Sequence, residues 1–371
     1  MKLSCEKYVL QNAIAIASRA TASKSPIQAL EGLLLEASVD LKITGYDLKE
    51  GIYTLIAADV EEAGSIVVSA RLFGEMVRRL PDGIVTISTD INKNVNVKCG
   101  KSDFHFMGIS AEDYPEMPDV NGQNHITLPQ KILRSMITQT IFAVATSDAR
   151  PIYTGTLFEI DGSNLTLVSV DGYRLAKRTE QIENGQMENC KFVVPGSALS
   201  DIERICGDDE EATVQIAVGS KHISFGIGDT VVITRRLEGE FLNYRKSIPE
   251  NFRIKVKINR ADFMATIDRC ALIVSEKNTS PVRMRFGDGR IDCLCVTPIG
   301  RAEDVCPCEG SGENLEIGFN DRYLTDALKA ANVDELMLCL NTSSSPSILE
   351  AADGSKNFTY MILPVRLRAG D

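Results

Sequence analysis

The sequence predicts an α+β protein built of three similar domains, each with two helices packed on antiparallel sheets. The chain has 371 residues, which exceeds one ordinary hydrophobic core at roughly 100–200 residues per domain. Helical and strand-like patterns alternate, and the same order of patterns recurs at intervals of about one third of the chain. The expected domains are residues 1–122, 123–249 and 250–371.

The helices are predicted from apolar residues that recur at spacings of three and four, which marks one buried helix face. The first helical segment of each third is residues 6–20, 130–143 and 260–273. The second helical segment is residues 71–80, 197–206 and 321–331. Six helices at corresponding positions are therefore expected.

Strands are predicted between and after the helices, where apolar runs are separated by polar or glycine-containing turns. Hairpin patterns occupy residues 32–47, 155–172 and 282–300, and further strands are expected at 213–237 and 335–351. The first two thirds close on DYPEMP (113–118) and NYRKSIP (243–249), and the last on TYMILPVRL (359–367). A period of about 120 residues is too long for a solenoid and fits domains with helices on one side of antiparallel sheets.

The composition is typical of a soluble globular protein, with 44% hydrophobic and 25% charged residues. The N-terminal segment is interrupted by Glu6, Lys7 and Gln11 and lacks the features of a signal peptide. No stretch approaches the ~20 apolar residues that span a bilayer, so a cytoplasmic location is expected. The net charge of −11 argues against a protein that grips nucleic acid by massed positive charge.

The ten cysteines are interpreted as free thiols, since a reducing compartment disfavours disulfides. The pair Cys293-x-Cys295, followed by Cys306-x-Cys308, raises the alternative of a metal site. Zinc sites usually have two residues between their cysteines. Alternation along a strand directs both cysteines of C-x-C to one face, which favours core packing. No metal or other cofactor is expected.

Familiar catalytic patterns are lacking in the sequence. His105, His125 and His222 stand in no metal-binding spacing, and neither a GxSxG elbow nor a P-loop occurs. The acidic run GDDEEA (207–212) follows a helix and is interpreted as a solvated turn. A hydrolase that uses a pair of carboxylates stays open as an alternative, although no pattern favours it. The protein is expected not to be an enzyme.

Six segments, in order along the chain, carry a resemblance to a known family. They are GLLLEASVDLKITGYDL (32–48), VDGYRLA (170–176), EGEFLNYRKSIP (238–249), SEKN (275–278), EIGFNDRYLTDAL (316–328) and YMILPVRL (360–367). They resemble the beta subunit of bacterial DNA polymerase III, a replication sliding clamp, over the full length. The resemblance implies a head-to-tail homodimer that closes into a ring around duplex DNA, with twelve helices inside and sheets outside. The implied function is a processivity factor for DNA replication.

The resemblance also implies partners and a groove that receives them. Expected partners are a second copy, duplex DNA without sequence preference, the replicative polymerase alpha subunit, the clamp loader, and translesion and repair polymerases. A partner's short peptide motif would enter a groove between the second and third domains. By resemblance the groove maps to Tyr153, Gly155, Val170, Gly172, Tyr173, Arg174, Leu175, Leu242, Lys246, Pro346, Met361, Ile362, Leu363, Pro364 and Arg366. An exposed apolar strip with adaptable Met and Leu side chains suits a partner site.

Two features of this region depart from the family. Lys246 and Ser247 occupy a stretch that is often more apolar or carries arginine, and residues 368–371 extend the chain past Leu367. An ordinary buried strand is the alternative interpretation of YMILPVRL.

DNA contacts are expected on the helices. The six helical segments together carry a charge of +4, which leaves −15 for the rest of the chain. A weakly basic lining suits sliding, because each neutralised phosphate adds salt-dependent affinity. The cations placed toward DNA are Arg71, Arg78, Arg79, Lys131 and Arg134 and, by resemblance, Lys24 and Arg150. Pro151 and Ile152 stand where the family can have aromatic residues, so stacking on DNA is not expected there.

The dimer seam would join the first domain of one copy to the third domain of the next. On the family pattern Val77, Lys101, Phe104 and Phe106 face Leu272, Ile273, Glu303 and Asp304. An apolar centre flanked by opposite charges is typical of an interface. Asp103 replaces an expected base, and Gly300 and Arg301 stand in a commonly acidic stretch, so weaker electrostatic closure is expected. A scaffold of the same fold that does not encircle DNA is the alternative function.

Overall fold

The computed structural model describes residues 1–120, 125–147, 149–182, 189–275, 280–355 and 357–367. The expected boundary at 122–123, most of the SEKN segment and the extension 368–371 lie outside the described residues. In the described ranges no helix has the length and apolar character needed to cross a membrane.

The first third contains two helices among short strands. Its helices are α1 (Lys7–Ala17) and α2 (Ala70–Arg79). Its strands are β1 (Lys2–Glu6), β2 (Gly32–Ala37), β3 (Leu41–Tyr46), β4 (Glu50–Ile56), β5 (Asp59–Glu62), β6 (Gly64–Ser69), β7 (Ile84–Thr89), β8 (Asn94–Cys99) and β9 (Ser102–Met107). The Ser69 hydroxyl accepts a hydrogen bond from the Leu72 backbone N–H at 3.4 Å, which caps the start of α2.

The middle third repeats this order. Its helices are α3 (Gln130–Thr138), α4 (Gly196–Ile205) and the short α5 (Tyr244–Ser247). Its strands are β10 (His125–Pro129), β11 (Gly155–Asp161), β12 (Asn164–Val170), β13 (Arg174–Gln181), β14 (Cys190–Pro195), β15 (Thr213–Val218), β16 (His222–Ile227) and β17 (Thr230–Arg235).

The last third has two longer strands. Its helices are α6 (Arg260–Ala271) and α7 (Asp321–Ala330), capped by the side chains of Asn259 and Asn320. Its strands are β18 (Ile254–Asn259), β19 (Val282–Thr297), β20 (Gly300–Phe319), β21 (Glu335–Leu340), β22 (Ser347–Ala351) and β23 (Phe358–Ile362). All six helices that the sequence predicts are confirmed, because their apolar spacing is a local signal.

The described residues form two compact units, and the middle third is divided between them. The first unit contains residues 1–134 and 197–236, and the second contains 135–182, 189–196 and 237–367. In the described part of the first unit, one antiparallel sheet has the order β5-β1-β7-β8-β9 and another the order β10-β15-β16-β17-β4-β3-β2-β6. The second unit has one sheet in the order β14-β11-β12-β13-β23-β22-β21-β18-β20-β19.

Each unit buries an apolar core where its helices meet its sheets. In the first unit Leu10 of α1 and Phe73 of α2 are fully buried against the strands. In the second unit Phe263 of α6 packs in a core that also holds Cys293 and Cys295. Core packing of this Cys-x-Cys pair is therefore confirmed, as strand alternation predicts.

The threefold repeat recurs in three isolated β-bridges, each of which joins a strand residue to a residue outside the strands. The bridges join Val67 to Ile109, Val193 to Leu237, and Gly318 to Val365. In each bridge the first residue lies three positions before a helix begins, at Ala70, Gly196 and Asp321. The three thirds therefore share one local fold, as the sequence period predicts.

Candidate functional site

An apolar row crosses five neighbouring strands on one face of the second unit's sheet. The strand register pairs Val170 with Leu175, Leu175 with Met361, Met361 with Ile348, and Ile348 with Cys339. Side chains that stand directly opposite on antiparallel strands share a face. All five belong to one apolar cluster and are buried, so the row forms a continuous floor beneath the segments that flank it.

Two segments flank this floor as walls. Tyr153 comes from the 3₁₀ turn Pro151–Thr154, and Leu242 comes from the segment that precedes α5. Phe241 meets the Tyr153 ring edge to face, with ring centroids 5.5 Å apart. Tyr153, Phe241 and Leu242 are only partly buried, so their outer faces offer an adaptable apolar surface above the floor.

A buried carboxylate fastens one wall to the sheet. Glu159 of β11 is almost completely buried, and the Tyr244 hydroxyl donates a hydrogen bond to it. The ammonium of Lys191 lies 2.8 Å from the same carboxylate and the guanidinium of Arg245 lies 3.1 Å from it. Burial raises the pKa of Glu159, but the hydrogen bonds from Lys191 and Tyr244 outweigh burial and hold the pKa below its ordinary value. The ionised carboxylate thus fixes the start of α5 beside the floor.

A tight turn shapes the rim. Gly172 has a φ of +96°, a left-handed conformation that favours glycine. The Asp171 carboxylate accepts hydrogen bonds from the backbone N–H groups of Tyr173 and Arg174 at 2.9 and 3.0 Å. The turn leaves Tyr173 62% exposed, and the Tyr173 carbonyl accepts a 2.9 Å hydrogen bond from the Leu363 N–H. The chain end is thereby held along the rim.

The register places two predicted groove residues, Arg174 and Ile362, off this row. These two residues oppose each other in the register, and alternation along the strands turns them away from Leu175 and Met361. Ile362 is buried in the core that contains the helices. Arg174 forms an ion pair with Asp326 of α7 at 2.6 Å. Neither side chain lies on the floor of the groove.

The other predicted groove residues differ in their exposure. Gly155 is buried, Pro346, Leu363 and Pro364 are half-buried, and Lys246 and Arg366 are exposed. Resemblance alone missed Phe241, which is partly buried against the same cluster, and Ile348, which continues the row but is fully buried. The register of β22 against β23 gives Ile348, and Phe241 directly precedes the predicted Leu242.

The first unit repeats the row with different side chains. Tyr46, Gly51 and Ile233 take the places of Val170, Leu175 and Met361. The Met117 methyl group occupies the space into which a Cβ of Gly51 would project. Tyr46 is buried in a cluster with Met117 packed against it. The chain's own side chains therefore fill this position in the first unit.

Comparison with known sequence families gives three matches in chain order. The DNA polymerase III beta subunit N-terminal domain matches residues 1–118, the central domain 127–243 and the C-terminal domain 245–366. The chain belongs to the DNA polymerase III beta subunit family. The expected family resemblance is thereby confirmed over nearly the whole length.

Individual members of the beta subunit family are similar in sequence and fold. The chain is 32% identical to the beta sliding clamp of Staphylococcus epidermidis over 359 residues, 94% of each chain. The structure of a putative beta subunit from Eubacterium rectale has a TM-score of 0.93 and 33% identity, covering 98% of this chain and 99% of that one. The sliding clamp of Bacillus subtilis has a TM-score of 0.95 and 28% identity, covering 99% and 100%.

Four of the cations expected to face DNA in this beta subunit are ion-paired within the chain. The pairs are Arg78 and Arg79 with Glu75 at 2.7 and 3.1 Å, Lys131 with Glu210 at 2.6 Å, and Arg134 with Asp208 at 2.5 Å. The exposed acidic turn 207–212 therefore contacts α3, which its sequence did not indicate. DNA phosphates would compete with these carboxylates for the cations.

The other three predicted DNA-facing residues, Lys24, Arg71 and Arg150, are exposed. The Arg150 guanidinium lies 5.7 Å from the centroid of the Tyr153 ring. Ile152 of the same 3₁₀ turn packs against the apolar cluster of the groove. Arg150, which is expected to face DNA, therefore lies beside Tyr153, which forms a wall of the groove.

The predicted seam of the beta subunit needs one correction. Val77 is fully buried in the core of the first unit and has no surface for a second copy. Its place on the inner face of α2 explains the error. The remaining predicted seam residues retain some exposure, and they are Lys101, Phe104, Phe106, Leu272, Ile273, Glu303 and Asp304.

The seam acids are paired within their own chain. Arg269 forms an ion pair with Asp304, and Arg301 forms one with Glu303. Hydrogen bonding to Arg269 lowers the pKa of Asp304. These carboxylates therefore already have cationic partners within their own chain.

Proposed function

We propose that the chain is a non-catalytic sliding clamp of the cytoplasm. Two copies close head to tail around duplex DNA and hold polymerases on it, and each copy contributes domains 1–122, 123–249 and 250–371. The full-length family match in chain order carries this proposal. The repeated local fold supports it, because two copies of three similar domains suit a symmetric closed ring.

Ring closure is supported by two sheet edges with apolar side chains near them. Among the described strands, β9 ends a sheet of the first unit and β19 ends the sheet of the second. Edge strands present backbone groups that another chain can pair with. Phe104 and Met107 on β9 and Leu272 after α6 are exposed apolar residues. We propose that β9 of one copy meets β19 of the next.

Loose DNA contact is supported by the charge distribution. The predicted helical segments are weakly positive while the rest of the chain carries −15. Ion pairs within the chain reduce the free positive charge further. Few neutralised phosphates give a weak dependence of affinity on salt, which favours sliding over gripping.

Partner binding is assigned to the apolar groove of the second unit. Its floor is the buried row Val170, Leu175, Met361, Ile348 and Cys339, and its accessible walls are the partly buried Tyr153 and Leu242. A short apolar peptide from a polymerase or the clamp loader suits this surface, because Met and aromatic side chains repack around different ligands. The exposed Lys246 and Arg366 would contact the polar flanks of that peptide.

DNA retention after loading tests the ring. The chain is loaded by its clamp loader onto nicked circular DNA, which is then linearised. A topological ring is retained on the circle and slides off the linear ends. Equal retention on both forms would refute encirclement. It would favour a scaffold of the same fold that does not encircle DNA, because Asp304 and Glu303 of the predicted seam already form ion pairs within the chain.

Filling the groove tests the partner site. Val170→Tyr introduces the residue that occupies the equivalent strand position in the first unit, where it stands opposite Gly51 instead of Leu175. The melting temperature of the variant is measured first, so that a loss of folding is distinguished from a filled groove. Binding of the replicative polymerase alpha subunit is expected to fall at least about tenfold, the loss of roughly 1.4 kcal/mol. Tyr46→Phe is the matched control and should leave binding unchanged. Unaltered binding by Val170→Tyr would place the partner site elsewhere.

A further inference from the structure

A cavity in the first unit has a chemistry that the groove does not explain. It has a volume of about 550 Å³ and lies between strands β2–β4 and the segment that follows β9. Its lining includes Thr44 and Tyr53 from the strands, and Glu112, Glu116 and Met117 from that segment. All of these residues belong to the first unit.

A buried hydroxyl group in the cavity wall needs a partner. Thr44 is only 3% exposed, and within the described residues its Oγ1 has no hydrogen-bond partner. The Tyr114 hydroxyl donates to the Thr44 carbonyl at 3.3 Å and leaves Oγ1 unused. Burying a hydroxyl without a hydrogen bond is unfavourable. A donor that enters the cavity would relieve this cost.

The lining selects a positively charged donor. It contains the carboxylates of Glu36, Glu112, Glu116 and Asp119 against one ammonium, that of Lys42. The Lys42 Nζ lies 3.2 Å from Glu36 and 5.0 Å from the centroid of the Tyr53 ring. The cavity wall thus already binds one cation by a carboxylate and an aromatic face.

The equivalent place in the second unit has a different chemistry. Its cavity, of about 720 Å³, is lined by three cations and three carboxylates, so its formal charge is balanced. In the register, Lys177 takes the place of Tyr53, and Val168 takes the place of Thr44. The cation-binding character therefore belongs to the first unit and does not follow from the shared fold.

We propose that this first-unit cavity binds a lysine or arginine side chain from a basic segment of a partner protein. The cation would lie between the carboxylates of Glu112 and Glu116 and donate a hydrogen bond to Thr44 Oγ1. Charge complementarity of this kind mainly gives specificity and a faster association rate. The proposal requires neither ring closure nor the peptide groove.

Terminally blocked tri-arginine and tri-lysine peptides serve as probes for the full-length chain. Binding is followed by calorimetry and by the NMR signal of the Met117 methyl group, which reports on the cavity. A saturable shift of that signal is expected, and the tighter peptide identifies the preferred cation. Glu112→Gln with Glu116→Gln should weaken binding roughly tenfold, since two exposed charge interactions with the bound cation are lost.

A matched control separates the cavity from the acidic surface at large. Asp59→Asn with Glu62→Gln removes the same charge from exposed positions on β5 and should leave the affinity nearly unchanged. Equal weakening by both double variants would overturn the proposal, because it would show that the peptides bind to the negative charge of the whole chain and not to the cavity. An unshifted Met117 signal at saturating peptide would overturn it as well.

Thr44→Val tests the buried hydroxyl with little change of shape. The melting temperature should stay level or rise, because the variant removes a buried group that has no partner. Peptide affinity should fall about threefold or more, the cost of one lost hydrogen bond to a cation. A lower melting temperature with unchanged affinity would mean that Thr44 serves only the fold, and the proposal would be wrong.

Discussion

Replacing Glu50 by glutamine is expected to stabilise the first unit, and increasingly so as the pH rises. Glu50 begins β4, is 7% exposed, and within the described residues its Oε1 accepts no hydrogen bond. Burial, and then the nearby carboxylates of Asp201 and Asp47, raise its pKa from 4.5 to about 8. The folded chain therefore keeps this carboxyl protonated where the unfolded chain ionises it.

The sign and size follow from proton linkage. A pKa that is raised on folding gives stability that is complete below the unfolded value and is lost as the pH rises to the folded value. A shift from 4.5 to about 8, at 1.36 kcal/mol for each pH unit, costs about 5 kcal/mol above pH 8 and about 1 kcal/mol at pH 5. Glutamine keeps the shape and never ionises, so the substitution recovers most of this loss.

Calorimetric unfolding between pH 5 and pH 9 measures the effect. At roughly 2–4 °C per kcal/mol for a unit of this size, the melting temperature should rise on the order of 10 °C at pH 8 and only slightly at pH 5. Glu62→Gln, at an exposed position on β5, is the control and should show neither change. Parallel pH profiles for wild type and Glu50→Gln would refute a protonated Glu50.

Three further outcomes are expected. Tyr244→Phe removes a donor from the buried Glu159 carboxylate and should lower the free energy of unfolding by about 1–3 kcal/mol in urea titration; an unchanged midpoint would mean that water replaces the hydroxyl. Leu272→Asp, at an 82% exposed position of the proposed seam, should raise the dimer dissociation constant at least about tenfold, as measured by light scattering. The control Ile91→Asp, in a turn where Ile91 is 97% exposed, should leave that constant unchanged. Gly45→Ala would place its Cβ against the last backbone carbonyl of α1 and should cost about 3 kcal/mol or more, as reported by the melting temperature; a normal value would mean that α1 shifts freely.

The helices were predictable because their signal is local. The apolar spacing of α1 and α6 is set within a dozen residues, and neither needs a distant partner to mark its buried face. Strand positions followed from alternation and from turn residues in the same way. The pairing of β4 with β17 and of β13 with β23, which divides the middle third between the units, depends on residues far apart in sequence.

The candidate groove was found by resemblance, and there is a physical reason why some of its predicted residues lie off the apolar row. A segment that resembles the family, such as residues 360–367, predicts a strand but does not show which of its side chains face the groove. Met361 and Ile362 were both included, although alternation sends them to opposite faces. Ion pairs were missed for a related reason, since Lys131 and Glu210 are 79 positions apart and nothing local in either segment indicates the other.

A comparison of the two units explains why shape was easier to predict than charge. Arg174 and Glu50 occupy equivalent positions, because each begins its strand and pairs with the neighbouring strand, Arg174 with Ile362 of β23 and Glu50 with Thr234 of β17. In the second unit Arg174 forms an ion pair with Asp326, the sixth residue of α7. In the first unit the sixth residue of α4, Asp201, instead has Arg19 from the turn after α1 as its partner at 3.0 Å.

The repeat thus preserves the aspartate and its need for a cation, while the cation itself comes from a different segment. An arginine from any segment within hydrogen-bonding distance can pair with the aspartate. The repeat therefore preserves the backbone fold more strongly than it preserves which residue supplies the arginine. The position that Arg174 fills in one unit is then free in the other to hold Glu50 as a neutral acid. The two units are therefore expected to differ in their response to pH although their strands follow the same course.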